Sequence, residues 1–390
     1  MTVCFPVFLG ERLTEIRSAR GLTQVAVANE IKISKNTISS YESGRRIPAR
    51  DILCKLASFF KVPVHYFLLR QNREDTGTIF YRSLSAATKA GRIKAEAHYN
   101  WLKDIVNIIT DYVLLPTVNI PNFKLPSDPI QIENGTIDEV VGEIKSHWDI
   151  PTGPINNLVM LLESKGCIIV RRNLGTPTLD AFSSWSDFDK KPYCVLNRGK
   201  SAVRSRFDLA HELGHIILHR NVPKNIFNNP TYFSAIEQQA NYFSAGFLLS
   251  ETGFLEDIPY RITLDSLVPV KSKWKVSLAA IIMRLNDLSI LSPTKKQSLF
   301  LELSRRWGRK QEPLDDYFEY EEPTLFKKAF GLLAETNIDY KNLIYTKLGL
   351  SLSDVEDSLG LEEYLQQKYS SPFSFNLKPK FGTHRNILED

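Results

Sequence analysis

The pattern of apolar and polar positions divides the chain into four segments. Over residues 1–70 short helical periods follow one another. "GERLTEIRSARG" carries Leu13 and Ile16 at helical spacing and stops at Gly21. "TQVAVANEI" starts from a Thr23 cap, and "SKNTISSYESG" starts from a Ser34 cap and stops at Gly44. "PARDILCKLASFFKV" puts Pro48 in a first helical turn, and "PVHYFLL" makes a short fifth helix. Residues 71–133 hold one long helical pattern over about 85–113, softly broken at Gly91, and then the Pro-rich extended stretch "LPTVNIPNFKLPSDPI".

A third segment, 134–290, mixes helical and strand periods. "TIDEVVGEIKSHWDI" reads as an amphipathic helix opened by a Thr136–Glu139 capping box. "GPINNLVMLLESKG" is a helix ending at Gly166, and "CIIVRRN" and "PYCVLNR" are short β-branched strands. Three further helical patterns follow: "FDLAHELGHIILH", "SAIEQQANYFSAGFLL" and "SLAAIIMRLNDL". Residues 291–390 read as largely helical with a polar tail of unassigned role. Within them the acidic "EPLDDYFEYEEP" reads as a solvated loop, with regulation or mimicry of DNA charge as the alternative.

Length and composition refine this picture in three ways. A chain of 390 residues has room for two or three domains, and 43% hydrophobic with 24% charged residues is ordinary for a globular protein. No run approaches the roughly 18–20 apolar residues of a membrane span, and "MTVCFPVFLGERL" lacks the features of a secretory signal. The expected setting is therefore cytoplasmic, with no membrane partner. Cys4, Cys54, Cys167 and Cys194 are scattered and read as reduced packing thiols. The net charge of +5 is unevenly placed. Residues 1–70 hold eleven Lys/Arg and five Asp/Glu, leaving the remainder near neutral. Such a local surplus points to a polyanion-binding module.

The chemistry concentrates in "FDLAHELGHIILH". Positions i and i+4 of a helix share a face about 6 Å apart, so His211 and His215 can offer two imidazole nitrogens to one ion. Glu212 lies about 100° round, beside the ion, where a carboxylate can take a proton from water. A zinc site needs a third protein ligand. His219 continues the stripe but lies a further turn away. Glu237, opening "EQQAN" on a later helix, is the better choice, with Asn241 as its supporting amide. The bland reading is a buried amphipathic helix that contains histidines by chance. Its apolar flanks would then leave two imidazoles and a carboxylate to satisfy in the core. Gly214 inside that helix suggests close packing against a neighbour.

Taken in order, "RSRFDLAHELGHIILH", "IEQQANYFSAGFLLS" and "WKVSLAAIIMRL" resemble the ImmA/IrrE family of zinc metallopeptidases over about 136–290. "GPINNLVMLLESKGCIIV" and "LDAFSSW" resemble the segment that precedes the family's active-site helix. The resemblance implies an α+β, gluzincin-like zincin core with one Zn2+ per chain. His211, His215 and Glu237 would be ligands, Glu212 the general base and Asn241 a supporting residue. Ser250 stands where the family commonly has proline, a departure at a helix end. The family's substrates are DNA-binding repressors. Tyr193, Trp185 and Tyr232 are candidate oxyanion donors, with core packing the preferred reading for each; His65, His98 and His147 read as structural or exposed.

Residues 9–69 resemble the Cro/cI-like (XRE) helix-turn-helix family through Gln24, Ala28, Ile38, Glu42, Gly44 and Pro48. This implies an all-α five-helix domain with a recognition helix over 34–43. Lys35, Asn36 and Thr37 would meet base edges, while Gln24, Ser39, Arg45 and Arg46 would hold phosphates. The chain as a whole is then multidomain and mainly α. Residues 71–133 would be a helical linker, serving a homodimer or packing as a spacer on the peptidase.

The expected function is a zinc-dependent endopeptidase coupled to double-stranded DNA. It would cut a repressor-type or co-encoded partner protein, as in toxin–antitoxin or mobile-element control. Two alternatives belong to other classes: a regulator whose peptidase-like domain senses without cutting, and a helix-turn-helix that docks on a similar repressor domain.

Overall fold

The computed structural model describes residues 7–70, 79–81, 88–175, 179–223, 226, 229–308, 311–366 and 378–379. Cys4 and most of the polar tail lie outside the described residues. The first four helices are α1 (Gly10–Ala19), α2 (Gln24–Ile31), α3 (Lys35–Glu42) and α4 (Arg50–Phe60), closed by a 3-10 turn at Val64–Leu68. The caps sit where local chemistry puts them. Thr23 accepts from the Ala26 amide and Ser34 from the Thr37 amide, each satisfying an orphan first-turn donor. Pro48 is not in a first turn: α4 starts at Arg50, and Pro48 is buried two residues ahead of it.

Next come β1 (Ile79–Tyr81), α5 (Lys89–Tyr112), β2 (Val113–Leu114), α6 (Asn134–His147) and α7 (Leu158–Ser164). The expected Thr136–Glu139 capping box does not form. The helix begins two residues earlier at Asn134, from a Glu133 cap without a side-chain bond, so Thr136 is already inside it. The strands β3 (Ile168–Arg172), β4 (Ala181–Trp185) and β5 (Pro192–Asn197) join β1 in one sheet of order β1-β4-β5-β3. β3 runs parallel to β5, and the other two pairings are antiparallel. After the sheet come α8 (Ala202–Gly214), α9 (Pro230–Leu248), α10 (Glu251–Glu256), α11 (Leu264–Trp274), α12 (Leu278–Asp287) and α13 (Pro293–Trp307). Then α14 (Leu325–Glu335), α15 (Tyr340–Leu348), α16 (Leu352–Leu359) and β6 (Lys378–Pro379) complete the chain, β6 pairing with β2.

Side chains alternate across a strand, and here both faces of the sheet are buried. Cys167, Ile169, Ala181, Cys194 and Leu196 face one apolar core with α6 to α9 and α11 to α13. Ile168, Val170, Phe182, Tyr193 and Val195 face a second core with α5, the C-terminal helices and the helix-turn-helix itself. The long helix expected over 85–113 is thus internal. Trp101, Leu102, Ile105 and Val106 are buried within the chain. The cores cut across sequence order, because residues 8–67 and 325–365 share one of them.

The acidic run is solvated only in part: Asp316, Tyr317, Glu319 and Tyr320 are exposed, while other carboxylates of the run are drawn into the fold. Glu312 accepts from the first amides of α12 and, with Asp315, pairs Lys271, which is fully buried. Glu321 accepts from the Leu158 and Val159 amides of α7 and pairs Arg206. Glu322 reaches Arg198. In return Glu163 accepts from the Thr324 and Leu325 amides at the start of α14. Carboxylates at helix N-termini neutralise orphan amides and the positive dipole end. Removing one partner of such a buried pair costs about 3–5 kcal/mol, because a charge is left uncompensated.

Two glycines show how closely the C-terminal helices seat. Gly360 has φ +67°, and a Cβ there would lie 1.9 Å from the Arg171 carbonyl oxygen of β3. Gly349 has φ +64°, and its Cβ would meet Tyr66 of the helix-turn-helix at 2.9 Å. Arg12 of α1 donates to the Leu348 carbonyl and Arg20 pairs Asp354 of α16 at 2.5 Å.

His98 of α5 joins three elements. Its ring contacts the Ala19 carbonyl at 3.1 Å and Ser358 of α16 at 3.3 Å. Burial, then Arg172 and Lys94 nearby, hold its pKa well below 6.5; Arg20 also lowers it, and Asp357 lies 4.0 Å away. The unfolded chain therefore takes up a proton near pH 6.5 that the folded chain refuses, and stability is lost as pH falls below that value. Thermal midpoints measured from pH 8 to pH 5 should fall more steeply for the native chain than for His98→Gln. Parallel curves would remove His98 as the cause.

Candidate metal centre and nucleic-acid interface

α8 ends at Gly214, and the next turn, His215–His219, is π-helical rather than the α-helical continuation expected. Single π turns of this kind recur at functional sites. Gly214 marks the closest approach of α9. A Cβ there would meet Phe243 at 3.1 Å and the Ala240 backbone at 3.3 Å. This packing brings the carboxylate of α9 over the histidines of α8. The Nε2 atoms of His211 and His215 lie 2.9 Å apart; Glu237 sets its Oε2 3.5 Å from the first and its Oε1 3.3 Å from the second. Tetrahedral ligands about 2.0–2.2 Å from one ion lie roughly 3.3–3.6 Å from each other; the histidine-to-carboxylate distances meet this, the two imidazoles stand closer, and one ligand atom from each of the three residues lies within 4.8 Å of the others. Among the described residues they form the one His/Cys/Asp/Glu group close enough to do so. Burial pushes the Glu237 carboxyl up, but the two imidazoles outweigh it and hold it at about 2. It is an anion facing two nitrogen donors.

The second nitrogens bear on which atoms an ion would meet. His211 Nδ1 lies 3.0 Å from the Asn241 side-chain oxygen, an acceptor, so that nitrogen can carry the proton when Nε2 gives its lone pair to an ion. For His215 the reasoning starts further out. The Gln239 side-chain nitrogen donates to the carbonyls of Pro129 and Ile132, at 2.6 and 2.9 Å. Its oxygen therefore faces His219 Nε2, 3.0 Å away, and accepts from it. Burial, then the adjacent His215, push His219 down to about 3, so it is neutral with a bare Nδ1. That atom lies 3.0 Å from His215 Nδ1 and can accept a hydrogen bond from it, an arrangement that would leave His215 Nε2 to ligate. His219 and Gln239 were not among the expected supporting residues. The i+4 stripe pointed to His219, but as a poorly placed ligand, and nothing local marked Gln239.

Glu212 is fully buried on α8, one position round from His211. Phe80 of β1 is 3% exposed and stacks on the His215 ring, with centroids 5.3 Å apart and planes 6° from parallel. Sequence reasoning missed it, because three residues of strand have no readable period. Of the aromatic residues weighed as oxyanion donors, Tyr193 lies on the opposite face of the sheet with its hydroxyl on Asp189 at 2.6 Å. Trp185 packs under the Arg220 guanidinium, and Tyr232 is half-buried on α9. Cys167 and Cys194 are buried, and burial raises both thiols, Cys167 to about 12. They are inert packing groups.

In the first domain α3 exposes Lys35 and Asn36 at its N-terminus, with Arg45 and Arg46 exposed in the turn beyond it. Thr37 and Ser39 are half-buried, and the Thr37 hydroxyl pairs with Ser34 at 2.9 Å. Gln24 is half-buried and donates to Glu42 at 2.7 Å, and Arg17 donates to the same carboxylate. A phosphate contact by Gln24 would require that bond to be exchanged. Arg45 is steadied by Ser43 at 2.9 Å.

Replacing His219 with Ala should lower zinc affinity about 10–100-fold, the usual loss when a partner that fixes a ligating imidazole is removed. Competition with a chromophoric chelator measures this, and unchanged affinity would show that His215 needs no orienting group.

Comparison with known proteins agrees with this geometry at the level of domains. Residues 162–286 match the family model described as an IrrE N-terminal-like domain. Residues 10–73 match that of a helix-turn-helix domain. A stretch of 53 residues is 40% identical to the cryptic phage CTXphi transcriptional repressor RstR of Vibrio cholerae. It covers 14% of this chain and about half (48%) of that repressor. No helix among the described residues is long and apolar enough to cross a membrane. The chain thus joins a helix-turn-helix DNA-binding domain to an IrrE N-terminal-like domain of metallopeptidase-like fold.

Proposed function

We propose that this chain is a transcription regulator with a zinc-dependent endopeptidase site, and that it cuts a repressor-type or co-encoded protein. The observation that carries this reading is the grouping of His211 Nε2, His215 Nε2 and the Glu237 carboxylate, with the second nitrogen of each imidazole engaged by a neighbouring side chain. Two neutral nitrogens and one carboxylate oxygen match the donor preference of zinc and leave a position for water. Zinc bound there would polarise a peptide carbonyl and bring the pKa of water to about 7. The buried Glu212 carboxylate would accept the proton of the attacking water and return it to the amine nitrogen of the leaving peptide. Asn241 and the His219–Gln239 pair would hold the imidazoles still while this happens.

At the other end, Lys35 and Asn36 would read base edges from the start of α3. Thr37 would read them only by leaving Ser34. Arg45 and Arg46 would hold phosphates with Ser39, and Gln24 would do so by leaving Glu42. One recognition helix per chain implies two copies on adjacent half-sites for useful specificity. Boundaries near 70, 133 and 290 divide the roles, with the helices between 293 and 359 supporting both cores.

Glu212→Gln should abolish cleavage of a co-encoded candidate protein while metal content stays near one zinc per chain. Persistent cleavage in that variant would exclude Glu212 as the base. Arg45→Ala with Arg46→Ala should weaken binding to the protein's own promoter. The slope of log affinity against log salt should shrink by about 2, one for each lost phosphate contact. An unchanged slope, measured by fluorescence anisotropy, would remove both arginines from the interface.

A further inference from the structure

The metal centre lies against a strand that its own domain does not supply. β1 belongs to the connection between the helix-turn-helix and α5, and it pairs antiparallel with β4. Beyond β4 the sheet continues as β5 and β3, so among the described residues β1 alone covers the β4 edge. Phe80 lies opposite Ser183, and directly opposite residues of an antiparallel pair project from the same face. That face is the one on which Ala181 meets the α8 core. Phe80 projects from it onto His215 and is almost fully buried there. Ile79 lies on the other face, against the core shared with the helix-turn-helix.

An exposed sheet edge is a ready template for an extended peptide. Next to a candidate peptidase centre, that edge is where a substrate backbone would be aligned. We propose that residues 79–81 are a resident competitor strand: they hold the β4 edge and cover His215, and an extended protein segment reaches the centre only by displacing them. The incoming segment would pair antiparallel with β4 and set a large aromatic or apolar side chain opposite Ser183, in the place of Phe80. The proposal rests on the peptidase reading for its purpose, but the occupancy itself can be tested without cleavage. A strand tied into the same chain competes at an effective concentration of order millimolar. A free peptide should therefore bind poorly until the resident strand is weakened.

The test uses the full chain carrying Glu212→Gln, so that no peptide is consumed. A fluorescent peptide TGTIFYRSL, the sequence of residues 76–84, is titrated against this chain and against the same chain with Phe80→Ala or Phe80→Leu. Binding to the Phe80→Ala chain should be at least about tenfold tighter, given the lost intramolecular competitor. Phe80→Leu should fall between, and a peptide with Ala for its Phe should lose the gain. Hydrogen exchange of the β4 amides should rise in the Phe80→Ala chain before peptide is added and fall again after. Equal peptide affinity together with equal β4 exchange overturns the proposal. If Phe80→Ala lowers the thermal midpoint or DNA affinity, the Phe80→Leu chain decides by the same two readouts. Cleavage by the Glu212 form separates the two readings. Strand displacement without any cleavage sinks the peptidase reading and keeps the competitor. Cleavage at equal rates with and without Phe80, at unchanged peptide affinity, does the reverse.

Discussion

The structure depends on a sheet with no solvent face. A half-buried antiparallel sheet shows alternating apolar and polar residues, whereas one buried on both faces needs near-continuous apolar strands. β3 and β5 meet that demand with Ile168, Ile169, Val170, Tyr193, Cys194, Val195 and Leu196, all buried. One set of side chains grips α8 and α9, and the alternate set grips α5 and the C-terminal helices. The candidate metal centre and the helix-turn-helix are therefore built on opposite sides of one thin element. Interiors packed at native density transmit displacement and do not absorb it.

The same economy runs through the metal centre. A ligating imidazole needs its other nitrogen fixed, and the chain does this in two ways. His211 relies on an amide one helix away. His215 relies on His219 and Gln239, which are anchored by backbone carbonyls at residues 129 and 132. The anchor lies at the end of the extended stretch leading from α5 into α6. The setting of a candidate ligand thus depends on a connection that sequence alone would assign to a linker.

What could be read from the sequence was what depends on near neighbours. Thr23 and Ser34 cap because a hydroxyl and an amide three residues apart meet in any helix start. The spacing of His211, Glu212 and His215 needs only the helical pitch, and Glu237 followed from the demand for a third ligand on a second helix. The illegible features are tertiary. Gln239 matters only because α9 passes beside His219. The carboxylates of Glu312 and Glu321 look like solvent groups until helix N-termini and buried cations are set against them. Thr136 fails as a cap because the helix starts from Glu133 instead. β4, with Ser183 and Ser184 at its centre, carries little strand signal, and β1 is too short to carry any.

Those illegible elements are also the ones that link the two ends of the chain. β1 leaves the helix-turn-helix, touches His215 through Phe80 and leads into α5, and α5 returns to α1 through His98 and the Ala19 carbonyl. If displacing the strand changes how the helix-turn-helix seats against α5, a ligand that prefers one seating changes the displacement by the same coupling free energy, since coupling between two sites is reciprocal. A protein segment that displaced the strand would in turn alter the seat of the DNA-binding helices. Both sites bear on one three-residue strand, so joining them in a single chain gives each a direct physical hold on the other.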